Sequence, residues 1–457
     1  MSSDAVRTVR LASCATFQEG YVNPSQREPA YFGYDYKWLR ATDLNDGFVV
    51  NTGRGLSEKG FASAGKSALL FEPNTLAISK SGTIGRVGIL KDYMCGNRAV
   101  INIKVHPDCD TRFIFYTLLL KRSEIETLAE GSVQKNLYVS SLGRLEIVLP
   151  SLTVQRQVAE TLGALDDRIA LLRETNATLE AIAQALFKSW FVDFDPVRAR
   201  QQGLAPEGMD EATAALFPDG FEESELGLVP KGWQSTTLAE VGFRHGGTIQ
   251  TGPFGSQLHA SDYVDSGVPV VMPKDIQYRR VMTGSIARVS SHDADRLGRH
   301  KLQRGDIVFS RRGDVERHAL IGERETGWLC GTGCLLVRPG SRWPSPTFLS
   351  MTLDAPRARS WLVQHAVGAT MPNLNTGILG SVPVLLPTVD VLQLFEEVIS
   401  VTEEQRNHNA STMETLATLR DTLLPRLISG QLRLPGNAPE EFEVIAKPRA
   451  CCVRTGT

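Results

Sequence analysis

The sequence predicts a mixed α/β protein: two similar domains joined by two long helices that pack as an antiparallel coiled coil with approximate two-fold symmetry. Three observations support this fold class. The segments LGRLEIVLP (142–150) and LGSVPVLLP (379–387) are nearly the same and lie 237 residues apart. Short β-branched runs separated by Gly, Pro, Asn and Asp precede each copy, which is typical of strands and turns. After each copy, apolar residues recur with the period of a helix.

The duplication extends upstream of these two segments, in the same order but with changing loop lengths. Four further pairs align: 10–20 with 237–247, 39–44 with 271–276, 76–85 with 307–316, and 131–137 with 368–374. The matched residues include Asp43 and Asp275, Ser79 and Ser310, and Gly82 and Gly313. Loops at the surface of a fold tolerate such changes in length. The predicted parts are a first domain (1–150), a central helix with a connector (151–230), a second domain (231–388), a distal helix region (389–434) and a disordered tail (435–457).

Within each domain, local patterns predict mostly strands with one or two helices. RAVINIKV (98–105) and GCLLVRP (333–339) are β-branched or apolar runs bounded by turn residues, and both are predicted strands. RFIFYTLLLKRSEIETLAEG (112–131) is predicted to be one helix that ends at its glycine.

The first long helix is predicted at about 154–190. Apolar residues occupy the a and d positions of four heptads, a pattern typical of coiled coils. Four leucines in this stretch lie seven residues apart: Leu165, Leu172, Leu179 and Leu186. Asn176 occupies one a position, where a polar residue can set the register at a cost in stability. The second helix (391–428) is less regular. Its predicted partner is the first helix of the same chain, and a homodimeric coiled coil is the alternative.

Composition describes an ordinary globular chain, 42% hydrophobic and 22% charged, with a net charge of −2. No apolar run approaches the roughly 20 residues of a membrane span, and the first residues lack a secretory signal. We therefore expect a cytoplasmic protein. The charge is segregated: residues 1–150 carry +3 and residues 231–388 carry +6, whereas residues 151–230 carry −8. The two mildly basic domains would favour polyanionic partners.

The sequence lacks recognisable catalytic constellations. It contains no G-x-x-x-x-G-K-[ST], H-E-x-x-H or G-x-S-x-G motif. The close cysteine pairs, Cys330 with Cys334 and Cys451 with Cys452, have no second pair at the spacing of a zinc site. We therefore expect no metal, no cofactor and no catalytic residue. The chain is expected to bind and position other molecules and to carry out no chemistry itself.

Four segments resemble a known family. LEAIAQALFKSWFVDFDPVRAR (179–200) and FEESELGLVPKGWQSTTLAEVG (221–242) are similar to the central region of specificity subunits of type I restriction–modification systems. GPFGSQLHASDYVDSGVPVV (252–271) resembles the opening of a target-recognition domain in that family, and LRDTLLPRLISGQLRL (419–434) resembles its distal helix. The resemblance covers almost the whole chain and includes the duplication.

The resemblance implies that each α/β domain reads one half of a bipartite target in double-stranded DNA, and that the helices set the gap. It also implies two modification subunits, which carry the adenine methyltransferase activity, and two restriction subunits, which act as ATP-dependent translocases and nucleases. A stand-alone DNA-binding regulator or scaffold on the same architecture is the alternative. A self-sufficient enzyme is a third possibility, with no motif to support it.

Two pairs of loops and one further pair of cations contain the candidate DNA-binding residues. Arginine and lysine near glycines can approach phosphates closely, and asparagine and glutamine can bond to adenine. The same residues could instead be solvated cations and turn caps. The candidates are Arg40, Lys80, Arg86, Gln134, Lys135, Asn136, Lys274, Arg311, Arg312, Arg317 and Asn373.

A dense aromatic cluster at the end of the first long helix is a candidate for partner docking, because aromatic residues concentrate in interface hot spots. Its members are Phe187, Trp190, Phe191 and Phe194. Packing against the neighbouring domain is the alternative for these rings.

Overall fold

The structure, a computed structural model, divides the chain into two compact units. Unit 1 consists of residues 1–171 and 412–457, and unit 2 consists of residues 172–411. The residues that the structure describes are 7–131, 135–225, 227–368 and 370–434. The predicted tail lies outside them. Each unit contains one predicted domain together with part of each long helix.

Unit 1 contains eleven strands within its described residues. They are β1 (Arg7–Arg10), β2 (Ala15–Glu19), β3 (Phe32–Leu39), β4 (Gly47–Val49), β5 (Gly55–Leu56), β6 (Leu70–Phe71), β7 (Leu76–Ser79), β8 (Val87–Leu90), β9 (Met94–Gly96), β10 (Val100–Val105) and β11 (Glu146–Leu149). They form a five-stranded sheet (β2-β10-β7-β8-β4), a four-stranded sheet (β5-β3-β9-β6) and the pair β1-β11.

Unit 2 contains thirteen strands within its described residues. They are β12 (Phe221–Ser224), β13 (Gly227–Pro230), β14 (Gln234–Thr237), β15 (Thr248–Thr251), β16 (Tyr263–Val271), β17 (Ile276–Gln277), β18 (Arg280–Val281), β19 (Ala287–Val289), β20 (Ile307–Ser310), β21 (His318–Leu320), β22 (Leu329–Cys330), β23 (Cys334–Arg338) and β24 (Pro383–Leu386). The main sheets have the orders β15-β23-β20-β21 and β19-β16-β22, and β14-β24, β17-β18 and β12-β13 form pairs.

The strand orders show the duplication that the sequence predicts. The run β2-β10-β7-β8 corresponds to β15-β23-β20-β21, and β1-β11 corresponds to β14-β24. In the second sheets, β3 pairs with β9 in parallel and β16 pairs with β22 in parallel. Both of these long strands also carry a bulge, between Phe32 and Tyr36 and between Tyr263 and Val268. The predicted fold class, two similar α/β domains joined by long helices, is confirmed.

Short helices cover the sheets, and two long helices follow the domains. The helices are α1 (Glu58–Ala62), α2 (Thr111–Leu120), α3 (Arg122–Thr127), α4 (Val139–Gly143), α5 (Leu152–Phe191), α6 (Asp195–Gln201), α7 (Glu211–Ala215), α8 (Leu238–His245), α9 (Ser291–Arg296), α10 (Pro346–Asp354), α11 (Pro356–His365), α12 (Thr376–Gly380) and α13 (Val389–Ile428). Among the described residues, no helix is long and apolar enough to cross a membrane.

The segment predicted as one helix over 112–131 is two helices, so that prediction is wrong in detail. The chain leaves the helical path at Lys121, whose φ and ψ are −90° and 15°. After this break α3 turns, which buries Ile125 in the core of unit 1. It also lets Arg122 Nε donate to Gly85 O at 3.2 Å. Tertiary contacts of this kind override a continuous helical pattern.

The two long helices contact each other within the chain, as predicted. In unit 2, Asn409 Nδ2 donates to Asn176 Oδ1 at 2.9 Å, and Arg406 pairs with Glu180. The partner number falls as the number on α5 rises, so the helices are antiparallel there. The a and d positions of α5 are buried or half-buried, whereas most positions between them are exposed. In unit 1, Arg420 Nη1 of α13 donates to Asp166 on α5 at 2.7 Å.

Candidate nucleic-acid interface

Each unit places a hairpin loop beside a second segment of chain. In unit 1, the hairpin loop (79–86) joins β7 to β8, and the flanking segment is 130–137. Leu137 N donates to Lys80 O at 2.8 Å, which joins the two. The sequence predicted these two stretches as separate candidate sites, and the structure brings them together.

Unit 2 repeats this arrangement with the corresponding atoms. The hairpin loop (310–317) joins β20 to β21, and the flanking segment is 367–374. Leu374 N donates to Arg311 O at 2.9 Å, the counterpart of the bond between Leu137 and Lys80. The loop pairs of the two units therefore share one backbone framework that carries different side chains.

Glycines shape both hairpin loops. Gly82 has φ 75° and Gly313 has φ 76°, a left-handed conformation that residues with a Cβ rarely adopt. Apart from the two chain neighbours, no described residue has an atom within 4 Å of the position that a Cβ would occupy at either glycine. The two loop tips therefore leave open space around the backbone, where a phosphate could approach.

The cations of the first loop pair differ in their availability. Lys80 Nζ pairs with Glu19 at 2.9 Å, and its side chain is only 15% exposed. Arg86 is half-buried and Lys135 is exposed, and neither forms an ion pair with another described residue. Gln134 lies outside the described residues. Lys135 and Arg86 are therefore the candidates here that can reach a ligand without breaking an ion pair.

The second loop pair is richer in arginine. Arg311 Nε donates to Leu374 O at 3.3 Å, so it helps to hold the flanking segment. Arg317 is exposed and pairs with Asp314 of its own loop at 2.5 Å. Arg312 is exposed and has no ion pair with a described residue. Arg312 is therefore the freest cation of this loop.

The two candidate asparagines form equivalent backbone hydrogen bonds. Asn136 N donates to Glu130 O at 2.8 Å, and Asn373 N donates to Val367 O at 2.9 Å. Both residues are half-buried. The Oδ1 atom of Asn373 is buried and has no hydrogen-bond partner among the described residues. The backbone of each asparagine thus bonds within its flanking segment, and these bonds leave open whether the side chains cap turns or contact bases.

Arg40 and Lys274 lie beside the matched Asp43 and Asp275, three residues and one residue before them, but their side chains are not equally free. Arg40 Nε and Nη2 both donate to Asp43, each at 3.2 Å. Lys274 is exposed, and its Nζ donates to Ser285 O at 3.0 Å. Asp275 is buried, and this burial raises its pKa. Neither cation lies in the loop pairs by sequence, and Arg40 is already engaged in unit 1.

The aromatic cluster of α5 is part of the core of unit 2. The rings of Phe187, Trp190 and Phe191 are buried, and Phe194 packs partly buried against the same core. The Phe191 ring lies 4.8 Å from that of Phe348, centroid to centroid. These rings are taken up within the chain, so the structure favours the packing alternative, and a docking subunit would meet little of their surface.

The structure draws attention to residues that the sequence analysis did not select. Arg98 is exposed and precedes Ala99, whose carbonyl oxygen accepts a bond from Lys80 N at 2.8 Å. Met371 is exposed in the second flanking segment, and Tyr34 is fully exposed at the bulge of β3. The position of Arg98, between a turn and strand β10, could have identified it as a candidate from the sequence, whereas no local pattern distinguished Tyr34.

Comparisons with known proteins agree with this organisation. Residues 4–181 match the family described as "Type I restriction modification DNA specificity domain". The MjaIX specificity subunit of Methanocaldococcus jannaschii is 22% identical over 91% of each chain. The HindI specificity subunit of Haemophilus influenzae is 27% identical over 64% of this chain and 70% of its own. The crystal structure of a type I S subunit from M. genitalium aligns with a TM-score of 0.58 and 16% identity, over 94% of this chain and 97% of that one.

The duplicated α/β domains, their repeated loop pairs and the long helices define a two-domain recognition protein with helical connectors. Matches to specificity subunits extend over nine tenths of the chain. The resemblance to specificity subunits of type I restriction–modification systems that the sequence indicated is confirmed: residues 4–181 match the DNA specificity domain of that family, and the chain is similar to proteins named as such specificity subunits.

Proposed function

We propose that this chain is the DNA sequence-recognition subunit of a type I restriction–methylation complex, and that each domain reads one half of a bipartite target through its loop pair. The observation that carries the proposal is the shared backbone framework of the two loop pairs. The same backbone hydrogen bond between hairpin loop and flanking segment joins Leu137 to Lys80 and Leu374 to Arg311, while the exposed side chains differ. One framework with two sets of side chains suits two readers of different half-sites.

In this proposal the exposed cations hold the phosphates, and the loop side chains approach the bases. Lys135, Arg86 and Arg312 are the cations without a described ion pair. Phosphate contacts position a protein on DNA, whereas contacts to base edges supply specificity. Asn136 or Asn373 can bond to adenine if their side chains turn outward.

The long helices would set the gap between the half-sites. Each has 40 residues, which corresponds to about 60 Å at 1.5 Å per residue. Half-sites on one face of a duplex are separated by about 34 Å per helical turn, which lies within that reach.

The chain would recognise DNA and leave chemistry to its partners. We propose two modification subunits and two restriction subunits in a cytoplasmic complex, with methyl transfer, translocation and cleavage carried by them. Relatives named as specificity subunits favour this role over a stand-alone regulator. Genes for a methyltransferase and a translocase-nuclease beside this one would support the full complex.

The direct test uses the full-length chain with the modification subunit encoded beside it. Methylome sequencing should give a bipartite motif with adenine methylation in both halves. Exchanging the second loop pair (310–317 and 367–374) for that of a relative should change one half-site only. The matched control exchanges the first loop pair (79–86 and 130–137), which should change the other half. A motif in which both halves change after either exchange would contradict independent readers.

A further inference from the structure

A two-residue turn in unit 2 has an unusual backbone. Tyr278 and Arg279 join β17 to β18, and their φ angles are 50° and 58°. Left-handed turns of this kind normally contain Asn-Gly or Gly, because a Cβ is disfavoured there. Tyrosine and arginine at these positions indicate that contacts elsewhere hold the turn.

Those contacts are a buried ion-pair cluster made of Arg279, Arg406, Glu180 and Glu403, which we call the latch. Arg279 Nη2 donates to Glu403 Oε1 of α13 at 3.1 Å and to Glu180 Oε2 of α5 at 3.4 Å. Arg406 Nη1 pairs with the same two carboxylates. The Arg279 side chain is 5% exposed and that of Arg406 is 6% exposed. Arg279 thus forms ion pairs with both long helices.

The neighbouring residue, Arg280, adds further contacts to α13. Arg280 Nη1 donates to Arg406 O at 3.4 Å, and its Nη2 bonds to the side chain of Asn407. The hairpin therefore contacts α13 from Glu403 to Asn407, a full helical turn. All of these contacts lie within unit 2.

The strands of the hairpin pack in a core cluster of unit 2 through Ile276 and Val281, but a cavity of about 480 Å³ lies beside its turn. Arg279, Tyr278, His318 and Asp354 are among the residues that line this cavity. Nε and Nη1 of Arg279 are buried without a hydrogen-bond partner among the described residues. The ion pairs therefore restrain the turn together with the backbone bond from Leu320 N to Arg279 O at 3.0 Å, and the cavity leaves room for the turn to shift if the ion pairs are removed.

Unit 1 shows that the fold does not require this latch. The parallel pairing of Gly47 with Gly88 corresponds to that of Arg279 with Ala319, so Gly47 takes the place of Arg279. The first domain reaches α5 differently, through Arg112, which pairs with Asp167 at 2.6 Å. The latch is thus an addition specific to the second domain.

We propose that Arg279 is a positioning residue for DNA recognition: it fixes the second domain on both long helices, so that the second half-site is accepted at one spacing only. This inference rests on the proposed function. One base pair displaces a half-site by about 3.4 Å and rotates it by about 34°. The second domain also packs on both long helices through the core that contains Phe187, Trp190 and Phe191, so loss of the latch would loosen its seating without releasing it and would lower the cost of accepting such a displacement.

The test measures methylation by the complex of the full-length chain and its modification subunit. The substrates are duplexes with the motif found by methylome sequencing, at the native gap and with one base pair added or removed. Arg279→Gln should lower the preference for the native gap by about tenfold, the scale of one lost charge-assisted contact, while both half-site sequences stay the same. Arg279→Lys keeps the charge but lacks the planar fork, and it should restore only part of the preference. Arg304→Gln is the matched control, because Arg304 pairs with Glu404 at the exposed surface; it should leave the preference unchanged.

The outcomes separate the two proposals. If the wild-type complex methylates no bipartite motif, the proposed function fails. If it does, and Arg279→Gln keeps the wild-type preference, the positioning role is overturned. It is also overturned if Arg279→Gln lowers the melting temperature and slows methylation equally at every gap, because that is a purely structural effect. Should Arg279→Gln fail to fold, Glu180→Gln removes one carboxylate and leaves the hairpin sequence intact, with the same expectation and the same refutation.

Discussion

The amide pair between the long helices allows a quantitative test of how they are held. Asn176 lies at an a position of α5, and its Nδ2 donates to Arg406 O at 3.1 Å. Asn409 Nδ2 donates to Asn176 Oδ1 at 2.9 Å, and Asn409 is 3% exposed. Replacing either asparagine with leucine removes one partner and leaves a buried polar group unsatisfied.

The expected loss of stability follows from the cost of a buried polar group that has lost its hydrogen-bond partner. A buried donor or acceptor without a partner costs about 1–3 kcal/mol, so Asn176→Leu and Asn409→Leu should each lower the free energy of unfolding of unit 2 by that amount. The double variant places two leucines against each other, and its loss should be about 1 kcal/mol or less, because replacing both partners with apolar groups can be nearly neutral. The predicted coupling energy is therefore at least about 1 kcal/mol.

Urea unfolding followed by tryptophan fluorescence measures this cycle in the full-length chain. Five of the six tryptophans belong to unit 2, so the signal reports mainly on that unit. Thr178→Leu is the control, an exposed position on the same helix, and should change stability by no more than about 0.5 kcal/mol. If the double variant loses the sum of the two single losses, the amides do not act as a pair and the reasoning is refuted.

Three further predictions concern DNA affinity, the gap and pH. Arg312→Gln and Lys135→Gln should each reduce the magnitude of the slope of log affinity against log salt concentration by about 0.9, measured by fluorescence anisotropy, without changing the motif. Unchanged slopes would mean that neither residue contacts a phosphate. Inserting seven residues after Leu171 and seven after Ser411 lengthens both long helices by about 10.5 Å and keeps the heptad phase. The gap in the methylated motif should then grow by one to three base pairs. An active complex with the old gap would exclude the helices as the spacer. Burial lowers the pKa of His318 to about 3, below the value of about 6.5 for a free histidine. The unfolded chain therefore binds a proton that the folded chain does not, and stability present above pH 6.5 should fall by about 1.4 kcal/mol per unit as pH drops toward 4; His318→Gln should lack this component in urea titrations, and an identical pH profile would contradict it.

Features that depend on nearby residues were predictable from the sequence. Strand β10 appears within the predicted 98–105, because a β-branched run bounded by turns is a local signal. The helix α5 extends from Leu152 to Phe191, close to the predicted 154–190, since its heptad stripe is also local. The duplication was visible because both copies keep the same pattern.

Features that depend on distant residues were not predictable. Arg279 pairs with Glu180 and Glu403, which lie 99 and 124 residues away in the sequence, and no local pattern relates them. The same holds for the ion pair of Lys80 with Glu19, which engages a lysine that was a candidate for DNA binding. Burial of the aromatic cluster likewise depends on rings such as Phe348, from a different part of the chain. Residue type suggested what each side chain could do, whereas its partners in space decide whether it is available.

The terminal strand pairs β1-β11 and β14-β24 have an evolutionary consequence. In unit 2, Gln234–Thr237 pairs antiparallel with Pro383–Leu386, so the polypeptide begins and completes the second domain at the same place. Arg7–Arg10 and Glu146–Leu149 do the same for the first. A recombination event with one crossover near each strand of such a pair would replace a closed module in frame and leave the coding sequence of both long helices intact. If each domain reads one half-site, as proposed, such an exchange would give the gene a new half-specificity.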